Sequence, residues 1–184
     1  MSSRTHSRHR ASVRSAGDSI ASAVTSIRRL VRVLRLNAQR TQAVAGVSAA
    51  QLFVLEQLRT DDSLSLGELA ARTLTDRSSV ADVVDRLAAQ GLVHRAADPA
   101  DRRRASVRIT PRGRRMLSRA PEAPTTALVA ALNELTPRER QTLARSLARL
   151  NHALGAADEP ATMLFADANE VARPRRRSGR PPHA

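Results

Sequence analysis

Two adjacent hydroxyls, Ser78 and Ser79, open a stretch whose apolar residues recur at helical spacing. Arg77 precedes them, and Asp82 and Arg86 come one and two turns later. Short hydroxyls in the first turn of a helix can reach a base edge or a phosphate, and the helix end adds oriented N–H groups. Arg77, at the same end, is placed to touch a phosphate backbone or its edge. Asp82 could accept from cytosine N4 but repels phosphate, so it is either a specificity filter or a residue that a tilted helix carries clear of DNA. Farther along, Asp98, Asp101, Arg102, Arg103 and Arg104 crowd into one charged turn. Catalysis has no comparable signal. The chain has no cysteine, five scattered histidines and no glycine-rich nucleotide loop, so neither a metal site nor a catalytic triad has its spacing. An enzyme, a cofactor and a bound metal are not expected.

The elements that must position these groups lie in residues 65–110. Ser65 and Glu68 form a capping box that opens a short helix with Leu66, Leu69 and Ala70 on its apolar face. Thr73-Leu74-Thr75 is the turn, and Thr75 or Asp76 can cap the second helix. That helix spans about 77–90, with Val80, Val83, Val84 and Leu87 on one face and Ser78, Ala81, Asp82 and Asp85 on the other. Gly91 suits the stop. Residues 92–95 and 106–109 alternate like two antiparallel strands joined by the charged turn. Helix, tight turn, helix and hairpin make a winged helix-turn-helix. Its second helix fits a major groove, and its hairpin can reach the flanking minor groove. A winged helix that only docks on protein has the same outline.

The segment resembles the MarR (multiple-antibiotic-resistance regulator) family of bacterial transcription factors. The resemblance is carried by Glu68-Leu69-Ala70, Asp76-Arg77-Ser78-Ser79-Val80, Val84-Asp85-Arg86-Leu87, Gly91-Leu92-Val93, Asp98-Pro99, Asp101-Arg102-Arg103 and Ile109-Thr110-Pro111-Arg112-Gly113. Flanking helical stretches extend it to about 19–154. It implies that Arg103 is the wing-tip arginine that enters the minor groove and that Asp101 is the buttress orienting it; a narrow minor groove deepens the negative potential an arginine meets. Arg102 and Arg104 are then phosphate contacts. Arg86 anchors to a phosphate or a neighbouring acid rather than to a base. The chain departs from the family at Ala100 and Asp82, where many relatives carry other residues, and at Thr73-Leu74-Thr75, which replaces a glycine-containing turn.

Charge distribution agrees with a polyanionic partner. The 184 residues carry net charge +14, and all 31 basic residues are Arg. Residues 94–115 hold eight Arg against two Asp, and the rest of the excess lies in 1–14 and 173–184. Neutralising phosphates releases condensed counterions, which favours such focused charge. Each end segment taken alone reads as a solvated, disordered stretch. Two Phe, no Tyr and no Trp leave no stacking platform for single strands. The absence of Cys removes disulfides and thiol switches. No apolar run approaches the ~20 residues of a membrane span, so a cytoplasmic location is expected.

The rest of the chain is expected to be helical. Residues 1–17 should form a disordered basic tail. A helix over 18–42 carries Ile20, Val24, Ile27, Val31 and Leu34, widened by Leu30 and Val33, as a core face or a dimer face. Ser48 and Gln51 open a helix with Leu52, Leu55 and Leu58. Pro111 begins another, which Pro121 and Pro124 should break. Thr136, Pro137 and Glu139 start a last helix, lined by Leu143, Leu147, Leu150 and Leu154 and ended by Gly155. Residues 156–184 are expected to be a loose Arg/Pro-rich tail. The fold class is therefore mainly α: one domain over 18–155 with a DNA-binding lobe at about 48–110, a two-stranded β-wing, and dimerisation helices at about 18–42 and 111–155.

The expected function is a homodimeric, sequence-specific regulator of transcription on a near-palindromic site in double-stranded DNA. The resemblance further implies repression relieved by a small anionic or aromatic effector in a cleft lined by residues of 20–36, 52–58 and the helix after Pro111. A nonspecific nucleic-acid-coating protein, acting through the Arg-rich wing and tails, is the second reading. The protein-interaction module is the third.

Overall fold

The computed structural model describes residues 3–59, 63–97, 105–159 and 162–166. Helix α1 (Ser3–Ala45) leads into α2 (Ala49–Gln57), strand β1 (Leu64–Ser65), α3 (Leu66–Thr73), α4 (Arg77–Ala89), strands β2 (Val93–Ala97) and β3 (Ala105–Ile109), α5 (Pro111–Leu117), α6 (Pro124–Asn133) and α7 (Pro137–Ala153).

The caps form as the spacing predicts. Ser48 and Gln51, Ser65 and Glu68, and Thr136 and Glu139 each exchange reciprocal cap hydrogen bonds. Each such cap satisfies otherwise orphan N–H groups and is worth about 1 kcal/mol. Pro111 takes the first position of α5, and the predicted break falls between Leu117 and Pro124.

The core lies in the central lobe. Leu52 and Leu55 of α2 and Leu58 just past its end meet Leu69 of α3, Val80, Val84 and Leu87 of α4, and Val107 of β3, all without measurable exposure. Burying each such leucine or valine contributes about 1.5–3 kcal/mol, so this cluster fixes how α4 sits on α2.

Three features differ from expectation. The sheet has three strands in the order β1-β3-β2, all antiparallel, because Leu64 and Ser65 pair with Val107 and Ser106 before α3 begins. Helix α1 starts at Ser3, so its backbone takes in most of the segment 1–17 expected to be a disordered tail. No proline interrupts that stretch, and extending an existing helix costs far less than nucleating one. Met163, expected in a loose tail, is buried in the core cluster, with Ala166 packed beside it. The remainder of 156–184 beyond Ala166 lies outside the described residues.

Candidate nucleic-acid interface

Helix α3 ends at Leu74, which takes the left-handed conformation (φ 55, ψ 38) usually left to glycine. That conformation costs a residue with a Cβ about 1–2 kcal/mol. Thr73 secures the end: its buried hydroxyl donates to the Leu69 carbonyl at 2.7 Å. The left-handed residue turns the chain sharply enough for Asp76 to cap α4 two residues later.

Asp76 does more than cap. Its carboxylate accepts the Ser79 N–H at 2.8 Å, the Ser79 hydroxyl at 2.7 Å and the Ser78 hydroxyl. The Ser78 hydroxyl, then that of Ser79, then the Ser79 N–H, hold its carboxyl well below the usual carboxylate range. Both serines expected to reach DNA are thus present at the start of α4, Ser78 exposed and Ser79 half-buried, and both are tied to one acid.

The face of α4 divides as predicted. Val80, Val83, Val84 and Leu87 are buried; Ser78, Asp82 and Asp85 are exposed and Ala81 is half-buried, with Arg77 also exposed. Asp82 therefore stands on the same open face as Ser78, one turn farther on. Arg86 is half-buried and bends back along the helix. Its Nε–H donates to the Asp82 carbonyl at 3.2 Å and an Nη1–H to the Ala166 carbonyl at 3.1 Å. This geometry makes it an anchor for the segment after α7.

The hairpin is joined to α4 by an ion pair between Arg95 of β2 and Asp85 of α4. Across the hairpin His94 lies opposite Arg108, both exposed. Asp101, Arg102, Arg103 and Arg104 lie outside the described residues, between β2 and β3. At the other end of β3, Gly113 of α5 packs so tightly that an added Cβ would come within 2.2 Å of the Leu92 carbonyl oxygen. That contact seats the wing base against the first turn of α5.

Reasoning from the sequence missed two arrangements. Asp76 was legible as a cap, but nothing in the spacing showed that both serine hydroxyls would turn to it. Arg95 and Asp85 are ten residues apart on different elements, and only the fold brings them together. Among the described residues no three His, Asp or Glu side chains gather as a metal set, and no helix is long and apolar enough to cross a membrane.

Two short helices joined by a left-handed turn, with a hairpin ion-paired to the second, define a winged helix-turn-helix. Residues 45–104 match the model of the MarR family. The chain is 32% identical over 93 residues to a protein named for regulation of the hcr operon in Thauera aromatica, a match covering 50% of this chain and 56% of that one. It is 38% identical over 68 residues to the HTH-type transcriptional repressor MdtR of Bacillus subtilis (strain 168), covering 37% and 44%. The chain thus spans about half the length of these two curated relatives. A solved structure of a MepR-like protein complexed with pseudoligands has the same fold, with a TM-score of 0.50 at 23% identity, covering 74% of this chain and 94% of that one. Over residues 45–104 the chain is similar to the MarR family of winged helix-turn-helix regulators.

Proposed function

We propose that the protein binds double-stranded DNA sequence-specifically as a homodimer and regulates transcription, acting as a repressor. The observation that carries this reading is the two-sided character of α4. One face is locked into the core by Val80, Val83, Val84 and Leu87, and the other presents Arg77, Ser78 and Asp82 to solvent, with the hairpin held to the same helix through Arg95.

Pairing is supported by apolar surface that a lone chain leaves wet. Helix α7 buries none of its residues, although Leu143, Leu147 and Leu150 line one side and Leu154 follows at its end. On α1, Ile20 is 65% exposed and Val33 54%. Covering such faces at about 25 cal/mol per Å² favours association, and two-fold symmetry would present two α4 helices to a near-palindromic site. Repression is supported by the likeness to MdtR, which is named a repressor.

An anionic or aromatic effector that relieves repression completes the reading. Leu52, Leu55 and Leu58, expected to line its cleft, are instead fully buried in the core. The exposed aliphatic side chains of α1 and nearby arginines are left to receive it. Such a ligand changes DNA affinity only if it favours one spacing of the two lobes over another.

Selection of binding sites from random duplexes tests the proposal. The expected result is one enriched motif with two-fold symmetry; a pool that stays random would overturn it.

The +14 charge favours a second reading, nonspecific coating of nucleic acid. It predicts no enriched motif.

A further inference from the structure

A serine hydroxyl has one proton to donate and two lone pairs that accept. An ionised carboxylate only accepts. At the start of α4 the direction of the bonds is therefore fixed: the hydroxyl protons of Ser78 and Ser79 both point at Asp76. What remains for a ligand is lone pairs. Swinging either proton outward would surrender a charge-assisted hydrogen bond, roughly twice as strong as a neutral one. Asp82, exposed on the same face four residues after Ser78, is also an acceptor. The open face of the first two turns thus offers acceptor after acceptor, with the Arg77 cation at its edge.

Base edges in the major groove differ in this respect. Cytosine presents the N4 amino donor and adenine the N6 amino donor, whereas guanine presents N7 and O6 acceptors and thymine an O4 acceptor with a methyl group. We propose that Asp76 sets the specificity of α4 by holding both serine protons, so that Ser78, Ser79 and Asp82 read amino groups of cytosine and adenine and turn away guanine and thymine edges. The inference rests on α4 being the DNA-reading helix, and it names the base chemistry that helix selects. Asp76 acts through the serines and is a positioning residue.

The test uses the full chain and the operator obtained by selection. In that operator, single cytosines are replaced by N4-methylcytosine and single adenines by N6-methyladenine, which block the groove-facing amino proton while keeping the base pair. Separate probes carry 7-deazaguanine, which removes an acceptor. The wild-type protein should bind about tenfold or more weakly to the methylated probes at the positions under α4, the size of one good base contact. It should be indifferent to 7-deazaguanine there. Asp76→Asn keeps a good cap with its carbonyl oxygen in the Oδ1 place, still accepting the Ser79 N–H and the Ser78 hydroxyl, so its amide protons face the Ser79 hydroxyl and free that one to donate. This variant should lose the methylation sensitivity at the base under Ser79, accept guanine or thymine there, and keep the wild-type preference at the base under Ser78. Wild-type binding that ignores the methylated bases but needs guanine N7, or an Asp76→Asn variant with unchanged base preference, would overturn the inference while leaving sequence-specific binding intact. Failure to select any operator would instead overturn the proposed function, and this inference with it.

Discussion

Glu56 of α2 caps α6 across the fold: its carboxylate accepts the backbone N–H of Ala123 at 2.9 Å. It also accepts the Thr126 hydroxyl. Ala123, at the N-cap position, has no side-chain cap of its own, so the acid of a neighbouring helix supplies it. An anion at a helix N-terminus is also favoured by the helix dipole. The bond joins the helix-turn-helix lobe to the helices beyond the wing.

Burial raises the Glu56 carboxyl above its ordinary value, with Glu122 adding to the rise and the Thr126 and Ala123 hydrogen bonds and Arg59 opposing it. The folded protein therefore holds this proton more tightly than the unfolded chain. The stability tied to protonated Glu56 is complete below the ordinary glutamate value and is lost as pH rises through the raised one. Glu56→Gln can still accept from Ala123 and donate to Thr126. Denaturant titrations from pH 4 to 7 should show wild type losing stability relative to Glu56→Gln as pH rises. Glu56→Ala should cost about 1–3 kcal/mol, the usual penalty for stranding buried donors.

Gly113 has no room for a methyl group. A Cβ there would also lie 2.8 Å from Ile109 Cγ1, and the Leu92 carbonyl it would strike already accepts the Thr110 N–H at 3.0 Å. Gly113→Ala should lower stability by about 1–3 kcal/mol, as overpacked sites do. Thermal unfolding would register this as a Tm lower by several degrees.

Leu147 is exposed at the middle of the apolar side of α7. A glutamate in its place would have to be desolvated on pairing. Sedimentation equilibrium should find wild type as a dimer and Leu147→Glu shifted to single chains, with operator affinity falling in parallel.

Local chemistry was the legible part of the fold. Ser48, Ser65 and Thr136 find their partners three residues away, and Pro111 and Gly91 act within their own turns, so neighbouring residue types suffice. The division of α4 into buried valines and an exposed polar face came from periodicity alone. What escaped depends on distant segments. Met163 reaches the core, and Ala166 meets Arg86, from eighty residues along the chain. The start of α1 escaped for another reason: its apolar repeat begins only at Ile20, so periodicity has nothing to count before it. At the site, residue types were legible but proton directions were not, because the Asp76 contacts to Ser78 and Ser79 depend on side-chain geometry.

Under the proposed function, Arg103 takes the minor-groove role that family resemblance implies. Removing one cation that neutralises phosphate charge lowers the salt slope of binding by about one. Arg103→Ala should weaken operator binding and flatten its dependence on salt, as measured by gel-shift titrations over a salt series.

Competition at moderate salt tests the central claim most directly. Labelled operator is bound to the full chain and challenged with increasing random-sequence duplex, with unlabelled operator in a parallel series. A sequence-specific regulator should keep its operator until random DNA reaches a large excess, on the order of 10³-fold or more. Equal displacement by random DNA and by operator would contradict the account.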